Sequence, residues 1–130
     1  MHDLGVGTTA NMHSVISGIF FPSLRCKAYT WPERINIWKG KAASKDFPVE
    51  QDTIERFNAF NDVPQVEIPV LFLVGKHDYT CCASLQELYY RTLQAPAKAI
   101  YTFENAAHSP IYEAPILGKT VIANFMKEIS

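Results

Sequence analysis

The second half of the sequence predicts an α/β fold, because apolar runs of strand length alternate there with amphipathic stretches of helical length. The first run extends from Ile68 to Gly75 and is apolar throughout, which is typical of a strand buried on both faces of a parallel sheet. The second run extends from Ala97 to Phe103. A helix between two such strands makes their pairing parallel and the crossover right-handed, so we expect a β-α-β-α arrangement.

Two amphipathic segments complete this pattern. The first is predicted as a helix from Ser84 to Gln94, with Ser84 and Glu87 at the spacing of a capping box. Its apolar stripe consists of Leu85, Leu88, Tyr89 and Leu93. The closing helix is predicted from Ile116 to Ile129, and its apolar face consists of Leu117, Val121, Phe125 and Ile129. Residues 66–130 are therefore predicted to form one α/β region.

Residues 1–65 carry helical signals and no convincing strand, so they form a second predicted region. A first helix is expected from Thr8 to Phe21, ending before Pro22 because proline disfavours helical backbone in the residue that precedes it. A further helix is expected from about Val49 to Phe60, where Ile54 and Phe57 are spaced for burial.

The best-marked helix of this region begins near Thr30, which has Pro32 at an early helical position and Glu33 at capping-box spacing. Trp31, Ile35 and Trp38 lie on one face of this helix. Gly40 is a predicted stop, and residues 39–45 are predicted to form the loop that follows.

The composition is that of an ordinary globular domain, with 48% hydrophobic and 19% charged residues. Twelve basic and 13 acidic residues give a formal net charge of −1, and the basic residues are scattered along the chain. Nucleic-acid binding is therefore not expected, because it requires a concentrated basic surface. A small neutral or weakly charged molecule is the expected partner.

The sequence predicts a cytoplasmic protein without a membrane partner. The apolar stretch from Val15 to Phe21 is far shorter than the roughly 20 residues that span a bilayer, and the N-terminus lacks a basic signal region. Three cysteines are too few, and odd in number, for a disulfide framework. Cys81 and Cys82 are adjacent, but no further ligands at metal-site spacing accompany them, so no metal or cofactor is predicted.

Two polar residues follow the two predicted strands and form the candidate catalytic pair. Asp78 lies just after the first strand, and His108 lies just after the second. The carboxyl ends of parallel strands share one edge of the sheet, where α/β proteins bind ligands. A carboxylate there can hold the imidazole Nδ1–H and leave Nε2 free as a general base, although Asp78 could instead only cap a turn.

These residues lie in two stretches, IPVLFLVGKHD and ENAAHSPIYEAP, with 30 residues from Asp78 to His108. Together they resemble the C-terminal part of an α/β-hydrolase, which implies that Asp78 is the acid and His108 the base of a catalytic triad. Residues 1–65 are similar to a helical lid segment of the lid-bearing branch that includes proline-iminopeptidase-like enzymes. In a lid, Trp31 and Trp38 would contact substrate, although aromatic side chains on helices more often serve packing.

The sequence departs from the family at the nucleophile, because it contains no G-x-S-x-G pentapeptide. Ser17 precedes Gly18 but has Val15 where the first glycine belongs. We therefore expect the chain to be the C-terminal fragment of a hydrolase of roughly twice this length, which cleaves a small ester or amide substrate. The 130-residue chain alone is expected to be inactive.

Two alternatives follow from the same sequence. Residues 5–10 match the G-x-G-x-x-A turn of dinucleotide-binding folds, but only four residues precede them, too few for the strand that such a turn requires. The other alternative is a non-catalytic interaction subunit in which Asp78 and His108 are relics. Two strands and two helices leave sheet surface uncovered, so we expect a homodimer or larger assembly that buries the faces of Val70–Val74 and Ala99–Phe103.

Overall fold

The structure is a computed structural model that describes residues 9–43 and 56–130. The chain divides into two compact units. The α/β unit comprises Met1–Met12 and Asn58–Ser130, and the helical unit comprises His13–Phe57. Residues 1–8, with most of the predicted dinucleotide turn, and residues 44–55, with most of the third predicted helix, lie outside the described residues.

The helical unit begins with a wide π-helical turn, Ile16–Phe20, that continues directly into helix α1, Phe21–Arg25. The predicted end before Pro22 is therefore wrong. Pro22 lies directly after the π-helical turn, and helical backbone continues through it to Arg25. A proline can stand inside a continuous helix at the cost of one backbone hydrogen bond.

Helix α2, Trp31–Ala43, begins as predicted. The backbone N–H and the hydroxyl of Thr30 both donate to Glu33 Oε2, each at 2.7 Å. The predicted stop at Gly40 is wrong, and residues 39–43 are helix rather than loop. A Cβ on Gly40 would meet no atom of the described residues within 4 Å. The helical cost of one glycine, about 1 kcal/mol, does not interrupt a run of good helix formers.

The face shared by Trp31, Ile35 and Trp38 is not buried as a whole. Trp31 and Ile35 are exposed, whereas Trp38 is half-buried and packs edge-on against Phe20 at 4.9 Å between ring centroids. The indole N–H of Trp38 also donates to Ser23 Oγ at 2.8 Å. Trp38 is thus a packing residue within the helical unit.

The third predicted helix does not run continuously to Phe60. The backbone is not helical at residues 57–58, and a separate helix, α3, spans Ala59–Asp62. Asn58 caps it, because its side-chain oxygen accepts the N–H of Phe60 at 3.0 Å. Asparagine favours this capping position over a helix interior, which explains the break.

The α/β unit confirms the predicted order and the parallel pairing of the strands. Its elements after α3 are β1 (Val70–Gly75), α4 (Ala83–Thr92), β2 (Lys98–Phe103), α5 (Pro110–Glu113) and α6 (Pro115–Glu128). The register pairs Val70 with Lys98 at one end and Gly75 with Phe103 at the other. The C-terminal ends of both strands therefore lie side by side.

Helix α4 differs from its prediction at its start. Its N-cap is Cys82, no side chain caps it, and Ser84 lies within the helix instead of at the cap. Leu85 and Leu88 of the predicted stripe are exposed, whereas Leu93 is buried. Helix α4 contacts the sheet in its C-terminal half, where Tyr89 packs edge-on against Phe72 of β1.

The described core is concentrated at the C-terminal end of the sheet. Val74 is 1% exposed and Phe103 2%, and Ala107 just after β2 is fully buried. Residues 70–73 are only half-buried, so the predicted burial of β1 on both faces holds at its end and not along its length. Two strands with their helices do not supply enough surface to cover both faces. No helix in residues 9–43 or 56–130 is long and apolar enough to cross a bilayer.

Candidate active site

Gly75 at the end of β1 allows the segments that follow both strands to approach closely. A Cβ on Gly75 would lie 1.8 Å from the carbonyl oxygen of Ala107 and 2.7 Å from that of Ala106. The same approach lets Lys76 N–H donate to Phe103 O and His77 N–H donate to Ala106 O, both at 3.0 Å. The two segments are thereby joined by backbone hydrogen bonds immediately before the candidate catalytic residues.

Asp78 uses both carboxylate oxygens. Its Oδ1 accepts the backbone N–H groups of Thr80 and Cys81, each at 2.9 Å, and its Oδ2 lies 3.0 Å from His108 Nδ1. The turn-capping role and the histidine-pairing role considered for this residue therefore coexist. Because Asp78 is only 8% exposed, these bonds hold the carboxylate in one orientation.

The pKa of Asp78 reflects two opposing effects. Burial raises the pKa, and the hydrogen bonds from Cys81, His108 and Thr80 lower it more strongly in sum. The net shift is downward, so the carboxylate is ionised at neutral pH. An ionised Asp78 is the form that accepts a proton-bearing Nδ1.

The loop before His108 is held by Glu113 of α5. Glu113 Oε1 accepts the N–H of Ala107 at 2.8 Å, and Oε2 accepts the N–H of Ala10 at 2.6 Å. Across the same edge of the sheet, the exposed side chains of Lys76 and Glu104 form an ion pair between the segments after β1 and β2. The position of His108 is therefore fixed by two contacts. Glu113 holds the backbone of Ala107, and Asp78 holds the imidazole ring.

The imidazole of His108 is accessible, with 37% of its side chain exposed. An open, largely apolar cavity of about 700 Å³ lies beside it and is lined by Leu73, His108, Ser109, Pro110, Ile111, Tyr112 and Pro115. With Nδ1 engaged by Asp78, Nε2 is the ring nitrogen left for proton transfer. The arrangement can therefore act as an oriented general base next to an apolar binding surface.

The structure brings Asp78 and His108 together within the α/β unit. Trp31 and Trp38 belong to the helical unit, where the guanidinium of Arg34 lies 4.9 Å from the Trp31 ring. Ser17 also belongs to the helical unit, and its hydroxyl donates to Ser14 O at 3.3 Å. Trp31 and Trp38 remain predictions as substrate-binding residues, and Ser17 was not predicted to be the nucleophile.

Gly75, Cys81 and Glu113 belong to the site although the sequence alone predicted no role for them there. In the sequence, Gly75 is the last residue of the first predicted strand. Glu113 is part of the stretch ENAAHSPIYEAP that resembles the α/β-hydrolase family. Cys81 lies with Asp78 and His108 in one cluster, in which a carboxylate oxygen, the thiol sulfur and a ring nitrogen are all within 4.8 Å of one another. Glycine at the end of a strand, three residues before a candidate acid, was a signal for close backbone approach.

Comparison with known proteins gives one partial relative. A stretch of 66 residues is 46% identical to the protein named "Probable aminopeptidase YbaC" of Bacillus subtilis (strain 168). The match covers 51% of this chain and 21% of the relative, so the chain spans about a fifth of the length of that protein. No protein-family model matches the sequence, and no solved structure matches it.

Proposed function

We propose that Asp78 and His108 are the acid and the base of a hydrolase of the α/β-hydrolase type. The observation that carries this proposal is the 3.0 Å contact between Asp78 Oδ2 and His108 Nδ1 at the C-terminal edge of a parallel sheet. The partial similarity to a protein named as an aminopeptidase supports the same class of reaction.

In this mechanism, His108 Nε2 takes the proton of a serine hydroxyl as that oxygen attacks the substrate carbonyl. Asp78 keeps the proton of His108 on Nδ1 and stabilises the imidazolium that forms. His108 then gives its proton to the leaving amine or alcohol, and the acyl-enzyme is hydrolysed by water that His108 activates in the same way. The two residues thus supply proton transfer and orientation.

The nucleophile in this proposal comes from polypeptide beyond these 130 residues. The sequence has no G-x-S-x-G elbow, and the chain spans about a fifth of the relative it matches. Residues 1–65 would then act as a lid segment, in which the exposed Trp31 and the free part of the half-buried Trp38 are the proposed substrate contacts. A peptide with a free amino terminus is the substrate class that the name of the relative suggests. The cytoplasm is the proposed location of this reaction.

The test uses the longer polypeptide that carries this chain, with an aminoacyl p-nitroanilide and a short acyl ester as substrates. His108→Ala should lower kcat/KM by about three orders of magnitude or more. His77→Ala is the matched control, because His77 is exposed and uses only its backbone N–H at this site. Near-normal turnover by His108→Ala would end the proposal.

A complementary measurement uses the 130-residue chain itself. It should give no burst with a p-nitrophenyl ester, and a fluorophosphonate should label none of its serines. The reason is that the sequence has no G-x-S-x-G turn, which would supply both the nucleophile and a backbone N–H of the oxyanion hole. A labelled serine identified by mass spectrometry would contradict the assignment of the nucleophile to another segment.

A second candidate function is association through the uncovered sheet region, in the α/β unit. The exposed apolar residues there include Ile68, Tyr101, Ile111, Tyr112 and Ile116. Apolar surface of this kind marks interaction sites or surface covered by further polypeptide. A self-associated chain with no catalytic role would keep Asp78 and His108 only as structural partners, so the His108→Ala measurement separates the two candidates.

A further inference from the structure

We propose that Asp78, Cys81 and His108 form a binding site for a thiophilic divalent cation, with Zn²⁺ as the best-suited ion. A carboxylate oxygen, the Cys81 sulfur and one imidazole nitrogen all lie within 4.8 Å of one another. Thiolate, imidazole and carboxylate are the three protein ligands that zinc uses most, and three of them with one solvent position form a common zinc coordination set.

The backbone fixes two of the three ligands relative to each other. Cys81 N–H donates to Asp78 Oδ1 at 2.9 Å, so both residues belong to one hydrogen-bonded turn. His108 is brought to this turn from β2 through its contact with Asp78 Oδ2. The cluster therefore results from the turn after β1 and from the parallel pairing of the two strands.

The distances suit a tetrahedral ion after small side-chain movements. Zinc bonds of about 2.0–2.1 Å to nitrogen and oxygen and 2.3 Å to sulfur place neighbouring ligand atoms roughly 3.4–3.6 Å apart. Asp78 Oδ2 and His108 Nδ1 are 3.0 Å apart, slightly closer than this. Cys81 is exposed and not in a disulfide, so its side chain has room to rotate toward the ion.

The neighbouring cysteine differs in its surroundings. Cys82 Sγ lies 3.1 Å from Ser84 Oγ at the start of α4 and is not part of the cluster. The two adjacent cysteines therefore provide a matched pair, in which one thiol is a proposed ligand and the other is not.

The consequence for catalysis rests on the proposed function. A zinc ion held by Asp78 and His108 Nδ1 would replace the proton between them, and an ion held by Nε2 would occupy the nitrogen that serves as base. Either mode removes the proton acceptor of the mechanism. The ion would thus be an inhibitor that binds reversibly through the exposed thiol.

The test measures binding with the 130-residue chain, kept reduced by a non-thiol phosphine, and needs no substrate. Titration with zinc chloride by calorimetry should give one saturable site per chain. Cobalt chloride should give the near-ultraviolet charge-transfer band of a thiolate ligand and the strong visible bands of a tetrahedral site. Because activity is not measured, failure of the proposed hydrolase function leaves this result unaffected.

Cys81→Ser should remove the charge-transfer band and weaken zinc binding by roughly tenfold or more, since even supporting residues of metal sites contribute 10–100-fold. His108→Ala should weaken binding to a similar extent, and Cys82→Ser should leave both signals unchanged. Far-ultraviolet circular dichroism checks that each variant is folded. Loss of the cobalt band in Cys82→Ser with retention in Cys81→Ser would overturn the proposal, as would the absence of saturable binding to the folded wild-type chain.

Discussion

Gly75 and Ala107 are in contact through backbone atoms, and a single methyl group on Gly75 would lie 1.8 Å from the Ala107 carbonyl oxygen. The glycine is thus required by the close approach of two chain segments. Asp78 and His108 lie in these segments. The distance between the candidate acid and base therefore depends on Gly75, which has no side chain and takes no part in catalysis.

Gly75→Ala is therefore expected to destabilise the α/β unit by roughly 2 kcal/mol or more, because the segments after β1 and β2 must move apart. Urea unfolding of the chain measures this change in the free energy of unfolding. Gly40→Ala is the control, since its Cβ would meet no atom in the described part of the chain within 4 Å and alanine is the better helix former by about 1 kcal/mol. Equal effects of the two substitutions would contradict the close-approach argument.

Asp78→Asn and Asp78→Ala separate the two roles of this side chain. Asparagine keeps an oxygen for the N–H groups of Thr80 and Cys81, so the turn should persist, while the charge that holds the His108 tautomer is lost. Within the active polypeptide, both variants should lose about three to four orders of magnitude in kcat. Only alanine should also lower the free energy of unfolding, by about 1–2 kcal/mol. Nitrogen chemical shifts of His108 report the tautomer directly, and an unchanged tautomer in Asp78→Asn would contradict the orienting role.

Glu113 is expected to be a positioning residue for the loop that carries His108. Glu113→Gln replaces one acceptor oxygen by a donor, so it can accept only one of the N–H groups of Ala107 and Ala10. We expect a loss of about 1–2 kcal/mol in unfolding free energy and a His108 ring signal that shifts in NMR spectra. Glu104→Gln is the control, because Glu104 is exposed and its ion pair within the described residues is with the exposed Lys76. A larger effect at Glu104 than at Glu113 would reject the positioning role.

The sequence predicted the pairing of Asp78 with His108 because one general rule covers it: residues that follow neighbouring parallel strands emerge at the same edge of the sheet. It predicted the start of α2 for a similar reason, since Thr30 and Glu33 interact across one turn. The wrong end at Gly40 has the opposite cause, because a local stop signal was outweighed by the helix-forming residues around it.

The contact of Glu113 with Ala107 and the proximity of Cys81 to His108 were not predictable in the same way. Both depend on the path of a loop, and no periodicity in the sequence encodes that path. The partial burial of β1 depends on which surfaces cover the sheet, which the residues of the strand do not specify. An apolar run indicates a need for burial and does not identify the element that provides it.

Glu33 gives a prediction for pH dependence. The hydroxyl and backbone hydrogen bonds from Thr30 lower the pKa of the Glu33 carboxyl in the folded chain below its value in the unfolded chain. The carboxylate therefore stabilises the start of α2 fully above the unfolded pKa, and this contribution is lost as the pH falls through the folded pKa. The Thr30 amide signal should titrate with that lowered pKa, and Glu33→Gln should abolish the titration. A Thr30 amide that titrates at the ordinary glutamate pKa would contradict the capping argument.

Self-association is the last expectation. Within the described residues the sheet has two strands, so each strand has an outer edge without a strand partner, and residues 70–73 of β1 are only half-buried. A two-stranded sheet is marginal in stability, and its unpaired backbone groups can pair with another chain. We therefore expect a dimer or larger assembly by light scattering at micromolar concentration, with two-fold symmetry as the simplest closed arrangement.

The interface of this assembly is expected to include the sheet region and not the helical unit. Ile68, just before β1, is 66% exposed, and Ile16 in the helical unit is 62% exposed, so the two isoleucines form a matched pair. Ile68→Lys should weaken association because a lysine next to a strand edge opposes edge pairing and apolar burial. Ile16→Lys, the same chemical change on a similarly exposed side chain, should leave the oligomeric state unchanged. A sharply melting monomer that persists across the dilution series of the wild-type chain would show that the chain covers its own sheet, and the association proposal would then be abandoned.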